Sequence, residues 1–345
     1  MRADPDSLSL PQSEVWDIVD VASLDETWEE MRTLRDQPLP AAIQPIVERY
    51  REMRGSRDVF IWKWVHELNP HFTFPIVPPD HADRVRNLKT VGTLFVTLLD
   101  DVLEKEHDLA TFRQASKAPF PGRTPEPHRD GVDAEYVGFT TDVWEWIDDQ
   151  LRSGHHYGRY IDFLQYDLKY TLGAIEYSHL VTESPATTGI EEHVQREAHN
   201  MMMYPYLDID LMFASDVRPD HVSVLRQAVY HAQRMARIGN WISTWRRELG
   251  EGDFSAGPIV YAVDQGIVSR DDLRRIDEAG SEALIESVAD QIERAGIESY
   301  FLDRWQDHYE DLVAIRDDFR PVDLTPFVEG MCQVLRYHVA STGLK

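Results

Sequence analysis

The chain has 345 residues, and its 35 Lys and Arg against 61 Asp and Glu give a net charge of −26 at pH 7. Such an acidic chain repels phosphate backbones and anionic lipids, which argues against nucleic acid or a membrane as a partner. Its single cysteine, Cys332, excludes a disulfide framework and a multi-cysteine zinc site. Since no apolar run approaches the roughly 20 residues of a membrane helix and no export signal begins the chain, we expect a cytoplasmic protein.

The first 42 residues are polar and interrupted by prolines, with one short helical stretch near Leu24–Arg35. From about Ile43 onward the apolar residues recur at helical spacing, and alternating runs typical of strands are scarce. We therefore predict a partly ordered arm over residues 1–42. A single all-α domain, a helical bundle, follows over residues 43–345.

Four later segments have the periodicity of buried helices. In the first, Ala82–His107, apolar residues recur every three or four positions. The others are His221–Leu249, with Asp220 as a candidate cap, then Ala279–Arg316 as one helix or a pair, and Pro326–Val339. Two loops rich in proline or glycine, Lys117–Asp133 and Gly250–Gly257, separate these elements.

The first of these helices ends in a group of carboxylates. Asp100 and Glu104 are four residues apart and share a helical face, and Asp101 lies beside them. Carboxylates at a core-facing position repel one another unless a cation neutralises them or the helix end reaches water. Mg²⁺ would suit such a site, since it prefers oxygen ligands, whereas the alternative is a solvated helix end.

A second polar stripe lies on the helix that ends near Leu249. Asn240, Thr244 and Glu248 follow one another at intervals of four, which aligns their oxygens along one face. Such oxygens could bind a hard cation, although an ordinary polar stripe has the same pattern. The adjacent Trp241 fits either the core or a cavity wall.

Together, the two motifs resemble the aspartate-rich motif, DDxx(D/E), and the second metal motif, (N,D)Dxx(S,T)xxxE, of class I terpene synthases. Asp100 and Asn240 are 140 residues apart, a spacing similar to that of bacterial members. The resemblance implies a helical bundle with a central active-site cavity. It also implies three Mg²⁺ ions that ionise a prenyl diphosphate, whose carbocation then cyclises or rearranges to a hydrocarbon or alcohol.

Further site residues follow from the same resemblance. It implies metal binding by Asp100, Asp101, Glu104, Asn240, Thr244 and Glu248. It implies diphosphate binding by Arg196, which lies 44 residues before Asn240, and by Arg247, Arg336 and Tyr337. Candidates for the cavity wall are Phe95, Trp241, Met203 and Tyr204. A homodimer is also common in this family.

The chain departs from the family pattern in three places. Trp241 stands where an Asp is usual, and Glu104 is the third acidic residue instead of Asp. No glycine follows Arg196, so we predict that Met201–Pro205 forms the helix break. The missing glycine slightly favours a C20 substrate, geranylgeranyl or labdane-type diphosphate, over C15 farnesyl diphosphate.

Other functions stay open at this point. Asp208-Ile209-Asp210-Leu211 falls short of the DxDD motif of protonation-initiated cyclases, and the absence of a second DDxxD argues against a chain-elongating prenyltransferase. An all-helical phosphohydrolase could use His107 and Asp108, with further metal ligands among His155, His156 and His179. A helical binding protein without catalysis is the third alternative.

Overall fold

The computed structural model describes residues 13–20, 24–53, 55, 57–185, 187–215 and 217–342. Much of the predicted arm, residues 1–12 and 21–23, lies outside this part. Within it, regular structure is helical and no strand occurs, which confirms the predicted all-α class. No described helix combines the length and apolarity needed to span a bilayer.

The helices of the N-terminal half include the short one predicted near residue 24. They are α1 (Val15–Ile18), α2 (Leu24–Asp36), α3 (Gln44–Glu52), α4 (Phe60–Leu68), α5 (Ala82–Glu104), α6 (Leu109–Ala115), α7 (Ala134–Leu151) and α8 (Tyr157–Glu183). Two short 3₁₀ turns, Asn69–Phe72 and Pro79–His81, connect α4 to α5.

In the described part of the C-terminal half there are eight further helices. They are α9 (Ile190–Glu197), α10 (Met203–Phe213), α11 (Pro219–Glu251), α12 (Gly257–Asp264), α13 (Arg270–Ala279), α14 (Glu282–Arg294), α15 (Ile297–Asp318) and α16 (Thr325–Ala340). The segment predicted as one helix or a pair is thus the pair α14 and α15.

Two glycines set where α11 ends and where α14 and α15 separate, and the predicted N-cap of α11 is wrong. Gly252 ends α11 with φ 80°, and Gly296 separates α14 from α15 with φ 68°, conformations that glycine adopts without steric cost. Asp220 is not the cap of α11. That helix begins at Pro219, and the Asp220 carboxylate instead pairs with Arg218 at 2.9 Å.

A break separates α9 from α10, but it lies a few residues before the predicted Met201–Pro205, because Met203–Pro205 already belong to α10. A 3₁₀ turn over Ala198–Met201 is followed by Met202 in the left-handed region, with φ 57°. The Met202 side chain is buried, and a Cβ added at Gly92 of α5 would lie 3.6 Å from its Cε. The break therefore packs against the middle of the helix that ends in the first acidic motif.

The two motif helices are both central, and shared neighbours set their relative position. α5 packs against α4, α7, α8 and α10, while α11 packs against α10, α12, α15 and α16. Because α10 contacts both, it fixes where each motif helix lies in the bundle. The buried hydrophobic residues of α5, α10 and α11 belong to one continuous core, while most of those on α4 form a smaller cluster with residues of α2 and α16.

Candidate metal and diphosphate site

Asp101 of the first motif is held by three neighbours. Its carboxylate accepts hydrogen bonds from Tyr50 Oη at 3.0 Å and from Arg57 Nε at 3.0 Å, and Lys105 Nζ lies 3.0 Å away. Burial alone would raise the pKa of Asp101, but the Arg57 and Lys105 charges outweigh it and hold this pKa below its ordinary value. Asp101 is therefore an ionised anchor whose oxygens already have partners.

Asp100 is less completely paired. Arg57 Nη2 lies 3.1 Å from its Oδ2, whereas its Oδ1 is buried and has no hydrogen-bond partner in the described part of the chain. Burial, together with the Asp101 and Asp253 carboxylates, raises the pKa of Asp100 to about 6 despite Arg57. Burial and the charges of Asp100 and Asp253 also raise the pKa of Glu104 well above its ordinary value.

The second motif forms a polar face on α11. The Asn240 Oδ1 accepts a hydrogen bond from Arg237 Nη1 at 2.8 Å, and Thr244 Oγ1 donates to the Asn240 carbonyl at 2.8 Å. Burial, reinforced by Asp253 and partly opposed by Arg237, raises the pKa of Glu248 to about 7. A free carboxylate in this position is costly unless a cation lies beside it.

Asp253 brings the two motifs into one electrostatic cluster. It lies just after the Gly252 cap, where its backbone N–H returns to the Glu248 carbonyl at 2.9 Å. Thr182 Oγ1 and the Ser255 N–H donate to its Oδ1 at 3.0 and 2.9 Å. The Asp253 charge raises the pKa of acidic residues on both α5 and α11, so the two motifs face a common region.

A buried ion pair closes the cluster on the side of α9. Arg237 Nη2 donates to Glu197 Oε2, and Ser178 of α8 donates to the other Glu197 oxygen. The exposed fraction of the side chain is 10% for Arg237 and 0% for Glu197. Burial raises the pKa of Glu197 even though Arg237 opposes the shift. We refer to Asp100, Glu104, Glu197, Glu248 and Asp253 as the carboxylate cluster.

Of the four diphosphate-binding residues that the resemblance implies, three lie outside this cluster and Arg247 lies at its edge. Arg196 is 56% exposed, pairs with Glu192 at 2.9 Å and lies over the Tyr177 ring. Arg247 is partly exposed and pairs with Glu251, and its Nη2 also lies 3.4 Å from Glu248 Oε1. Tyr337 Oη donates a hydrogen bond to Glu30 at 3.4 Å. Burial and the Arg336 charge lower the pKa of His71, and the Arg336 charge opposes the burial that raises the pKa of Cys332. Among the described arginines, Arg57 and Arg237 contact motif residues, and Arg247 contacts Glu248 from its more exposed side.

The candidate cavity residues are divided between core contacts and the cluster. Phe95 is buried against Trp144 of α7, with ring centroids 5.5 Å apart, and Met203 is also buried in the core. Tyr204 is half-buried and stacks on His199. Of these four residues, only Trp241 lies next to the carboxylate cluster. Its ring centre is 5.1 Å from the guanidinium of Arg237, which pairs with Glu197 of the cluster.

The Trp241 ring occupies a tightly bounded space. It stacks on His193 at 5.6 Å and meets Phe301 edge-on at 5.5 Å. A Cβ added at Gly257, the first residue of α12, would lie 2.6 Å from the indole, which no real side chain tolerates. His193 also bonds the Ser255 carbonyl at 2.7 Å and so connects α9 to the loop of Asp253.

The residues of the phosphohydrolase alternative are only partly assembled. Ligand atoms of His107, His179 and Glu183 lie within 4.8 Å of one another near the surface. Asp108, however, caps α6 by accepting from the Thr111 N–H at 2.9 Å. His155 packs against His81, and His156 packs against Tyr160, so neither belongs to that group.

Sequence reasoning missed residues that contact the motifs: Tyr50, Arg57, Lys105, Arg237 and Asp253. It also missed Glu197, which pairs with Arg237. For Arg237 a signal existed, since it precedes Asn240 by three residues and shares its helical face. Asp253 directly follows the glycine cap of the motif helix. Arg57 lies in the connection between α3 and α4, and no spacing in the sequence relates it to Asp100.

Comparisons with known proteins identify the fold. No protein-family model and no curated protein matches the chain. Among solved structures, it is similar to wild-type cucumene synthase (13% identity, TM-score 0.51, covering 90% of this chain and 100% of that one). It is similar to abietadiene synthase from Abies grandis (16% identity, TM-score 0.52), covering 94% of this chain but only 38% of that one.

A prenyl diphosphate synthase has a similar structure as well. Geranylgeranyl pyrophosphate synthetase from Pyrococcus horikoshii Ot3 matches with 10% identity and a TM-score of 0.56, covering 93% of this chain and 98% of that one. At such identities the similarity concerns the arrangement of helices and not the reaction. The chain has the all-α fold of the class I terpene synthases, which a prenyl diphosphate synthase also has.

Proposed function

We propose that this protein is a class I terpene synthase that ionises a prenyl diphosphate with the help of Mg²⁺. The observation that carries the proposal is the carboxylate cluster, in which residues of both motif helices and Asp253 share one partly buried region. Five carboxylates there face three arginines, the buried Arg237, the half-buried Arg57 and the more exposed Arg247, so carboxylates outnumber the cations. A site of this kind is suited to several cations together with an anionic ligand.

The residues present fit magnesium. The unpartnered Asp100 Oδ1 and the raised pKa values of Asp100, Glu104 and Glu248 support this, because positive charge beside these oxygens is incomplete. These three carboxylates, with Asn240 and Thr244, would hold the metal, and three ions is the number that the resemblance implies. Bound Mg²⁺ supplies Lewis-acid chemistry that offsets the charge of a departing diphosphate.

Asp101 has a different role in this proposal. Since Tyr50, Arg57 and Lys105 already engage its oxygens, it acts as a positioning residue that orients Arg57 next to Asp100. Arg57 and Arg237 donate charge-assisted hydrogen bonds to diphosphate oxygens, with Arg247 at the edge. Arg237 thereby takes the role that the resemblance gives to Arg196, whose guanidinium pairs with Glu192.

The rest of the chain must protect a carbocation from water. The buried His193, Trp241 and Phe301 form an aromatic group beside Arg237, and aromatic faces stabilise nearby positive charge. We propose a C20 substrate, geranylgeranyl or labdane-type diphosphate, ahead of C15 farnesyl diphosphate, on the absence of a glycine after Arg196. A cytoplasmic location and a homodimer remain part of the proposal.

Product analysis across substrates tests this function. The full chain is incubated with Mg²⁺ and C10, C15, C20 or labdane-type diphosphates, and extracts are examined by gas chromatography. We expect terpene hydrocarbons or alcohols that disappear in Asp100→Ala and Asn240→Ala but persist in Glu251→Gln, a matched change of an exposed carboxylate on α11. Absence of diphosphate release with every substrate would reject the proposal.

Two other outcomes would indicate a different enzyme. Longer prenyl diphosphates, formed when isopentenyl diphosphate is supplied, would indicate a chain-elongating synthase with the same fold. Phosphate release from nucleotides that is lost in His107→Ala and His179→Ala would indicate the phosphohydrolase alternative. The His107 group lies near the surface, whereas the carboxylate cluster is largely buried, so the two sets of variants separate these activities.

A further inference from the structure

Two histidines face each other where α11 packs against α15. His231 Nδ1 and His308 Nδ1 are 3.3 Å apart, and Asp311 Oδ2 lies 3.5 Å from His231 Nδ1. Asp311 follows His308 by three residues, which places both on the same side of α15. All three ligand atoms lie within 4.8 Å of one another. This group, His231, His308 and Asp311, is called the imidazole group below.

These separations match the edge of a coordination tetrahedron. Zinc binds nitrogen at about 2.0–2.1 Å and oxygen at about 2.0–2.2 Å, so two ligands at the tetrahedral angle are about 3.3–3.5 Å apart. A hydrogen bond between the two imidazoles would also account for the 3.3 Å between their nitrogens, so this distance alone does not distinguish the two arrangements. A hydrogen bond between the two histidines would not need the Asp311 carboxylate, whereas a metal ion would bind it as a third ligand.

The surroundings favour neutral imidazoles, the form that binds metals. Burial, with the charges of Arg234 and Arg304, lowers the pKa of His308 to about 3. Burial also lowers the pKa of His231, although the Asp311 carboxylate opposes this shift.

The nearby guanidiniums have partners of their own. Arg234 lies over the Tyr230 ring at 3.6 Å and donates to the Tyr230 carbonyl, while Arg304 forms two contacts with Glu191. These partners offset part of the repulsion that the two guanidiniums would exert on a bound cation. The Asp311 carboxylate would neutralise one positive charge of that cation. Because Asp311 is 63% exposed and His231 is 17% exposed, an ion reaches the imidazoles from solvent on the Asp311 side.

We propose that the imidazole group binds a divalent transition-metal ion of the zinc, cobalt or nickel class and thereby joins α11 to α15. Imidazole nitrogen selects such ions, whereas the oxygen-only carboxylate cluster suits magnesium. His231 precedes Asn240 by nine residues, or about 13 Å along α11, so the two sites are separate. The proposal does not depend on terpene synthase activity.

Cobalt binding to the intact, metal-stripped chain is the first test. Tetrahedral Co²⁺ with nitrogen ligands absorbs in the visible range, and we expect such a spectrum at one equivalent, displaced by Zn²⁺ but not by a large excess of Mg²⁺. An octahedral Co²⁺ spectrum only, or displacement by Mg²⁺, would overturn the proposal.

Variants locate the site. His231→Gln and His308→Gln should each weaken Zn²⁺ binding, measured by calorimetry, by at least tenfold. The exposed Asp311→Asn, which disturbs no packing, should weaken it as well, and this keeps the test decisive if a histidine variant fails to fold. The double change His107→Gln and His179→Gln is the matched control in the exposed group, and there the affinity should be unchanged. Zn²⁺ binding that survives in Asp311→Asn and is lost in the control would refute the assignment.

Discussion

Replacing Glu248 by glutamine should stabilise the metal-free protein while removing its response to magnesium. Burial and Asp253 raise the pKa of Glu248 from 4.5 to about 7. The folded state therefore holds this proton more tightly than the unfolded state does. The proton bound to Glu248 stabilises the folded state fully below about pH 4.5, and this stabilisation is lost as the pH rises through about 7. At pH 8 the ionised Glu248 then costs the folded state about 3 kcal/mol.

Glutamine keeps the shape of the side chain and removes this cost. Without divalent ions at pH 8, we expect Glu248→Gln to raise the free energy of unfolding by about 1–3 kcal/mol and Tm by about 2 °C per kcal/mol. Saturating Mg²⁺ should stabilise the unaltered protein, by about 2.7 kcal/mol at a concentration of 100 Kd, but the variant much less. With saturating Mg²⁺, the difference in Tm between Glu248→Gln and the unaltered protein should therefore become smaller or change sign.

Thermal unfolding followed by circular dichroism, with EDTA or with Mg²⁺, measures both effects. Glu251→Gln is the control, because Glu251 is exposed and lies one turn further along α11. It should change Tm little under either condition. The reasoning is refuted if Glu248→Gln lowers Tm in EDTA, or if it keeps the full magnesium response.

Three other predictions concern charge and backbone. The Mg²⁺ affinity measured by calorimetry should fall from pH 8 to pH 6, because protons compete with the metal at Asp100 (pKa about 6) and Glu248 (pKa about 7). The fall should be up to about tenfold per pH unit for each group that takes up a proton, and a pH-independent affinity would contradict this. Arg237→Met leaves the buried Glu197 without its cationic partner and should lower the free energy of unfolding in urea by about 3–5 kcal/mol. Adding Glu197→Gln should recover much of this loss, and a double variant no more stable than the single one would count against the buried pair. His107 has φ 52°, so His107→Gly should raise the free energy of unfolding by up to about 1 kcal/mol, and a loss in the same urea assay would show that its conformation is not strained.

The helical architecture could be predicted from the sequence because helix formation depends on local pattern. The apolar spacing of Ala82–His107 closely matches α5, and the glycine-rich segment after Leu249 matches the end of α11 at Gly252. Asp220 failed as a cap because proline at position 219 already has a helical φ, so the helix starts one residue before the acidic side chain. Local rules could not resolve that choice.

The site was harder to predict because it depends on side-chain direction and on loops. Neighbouring residues on a helix point about 100° apart, and this rotation separates the exposed Arg196 from the buried Glu197. Counting residues from Asn240 indicated this turn of α9, where the residue that belongs to the carboxylate cluster is Glu197 and not Arg196. Arg57 and Asp253 come from connections between helices, whose reach is set by the packed bundle and not by sequence spacing.

Trp241 and Gly257 have a consequence for the evolution of this site. The tryptophan takes the motif position where an aspartate is usual, and its indole fits only because residue 257 has no Cβ. A lineage could not have acquired the large ring while a larger side chain stood at position 257. Homologous chains should therefore show the two positions changing together, with non-glycine residues at 257 only where a smaller side chain replaces the tryptophan.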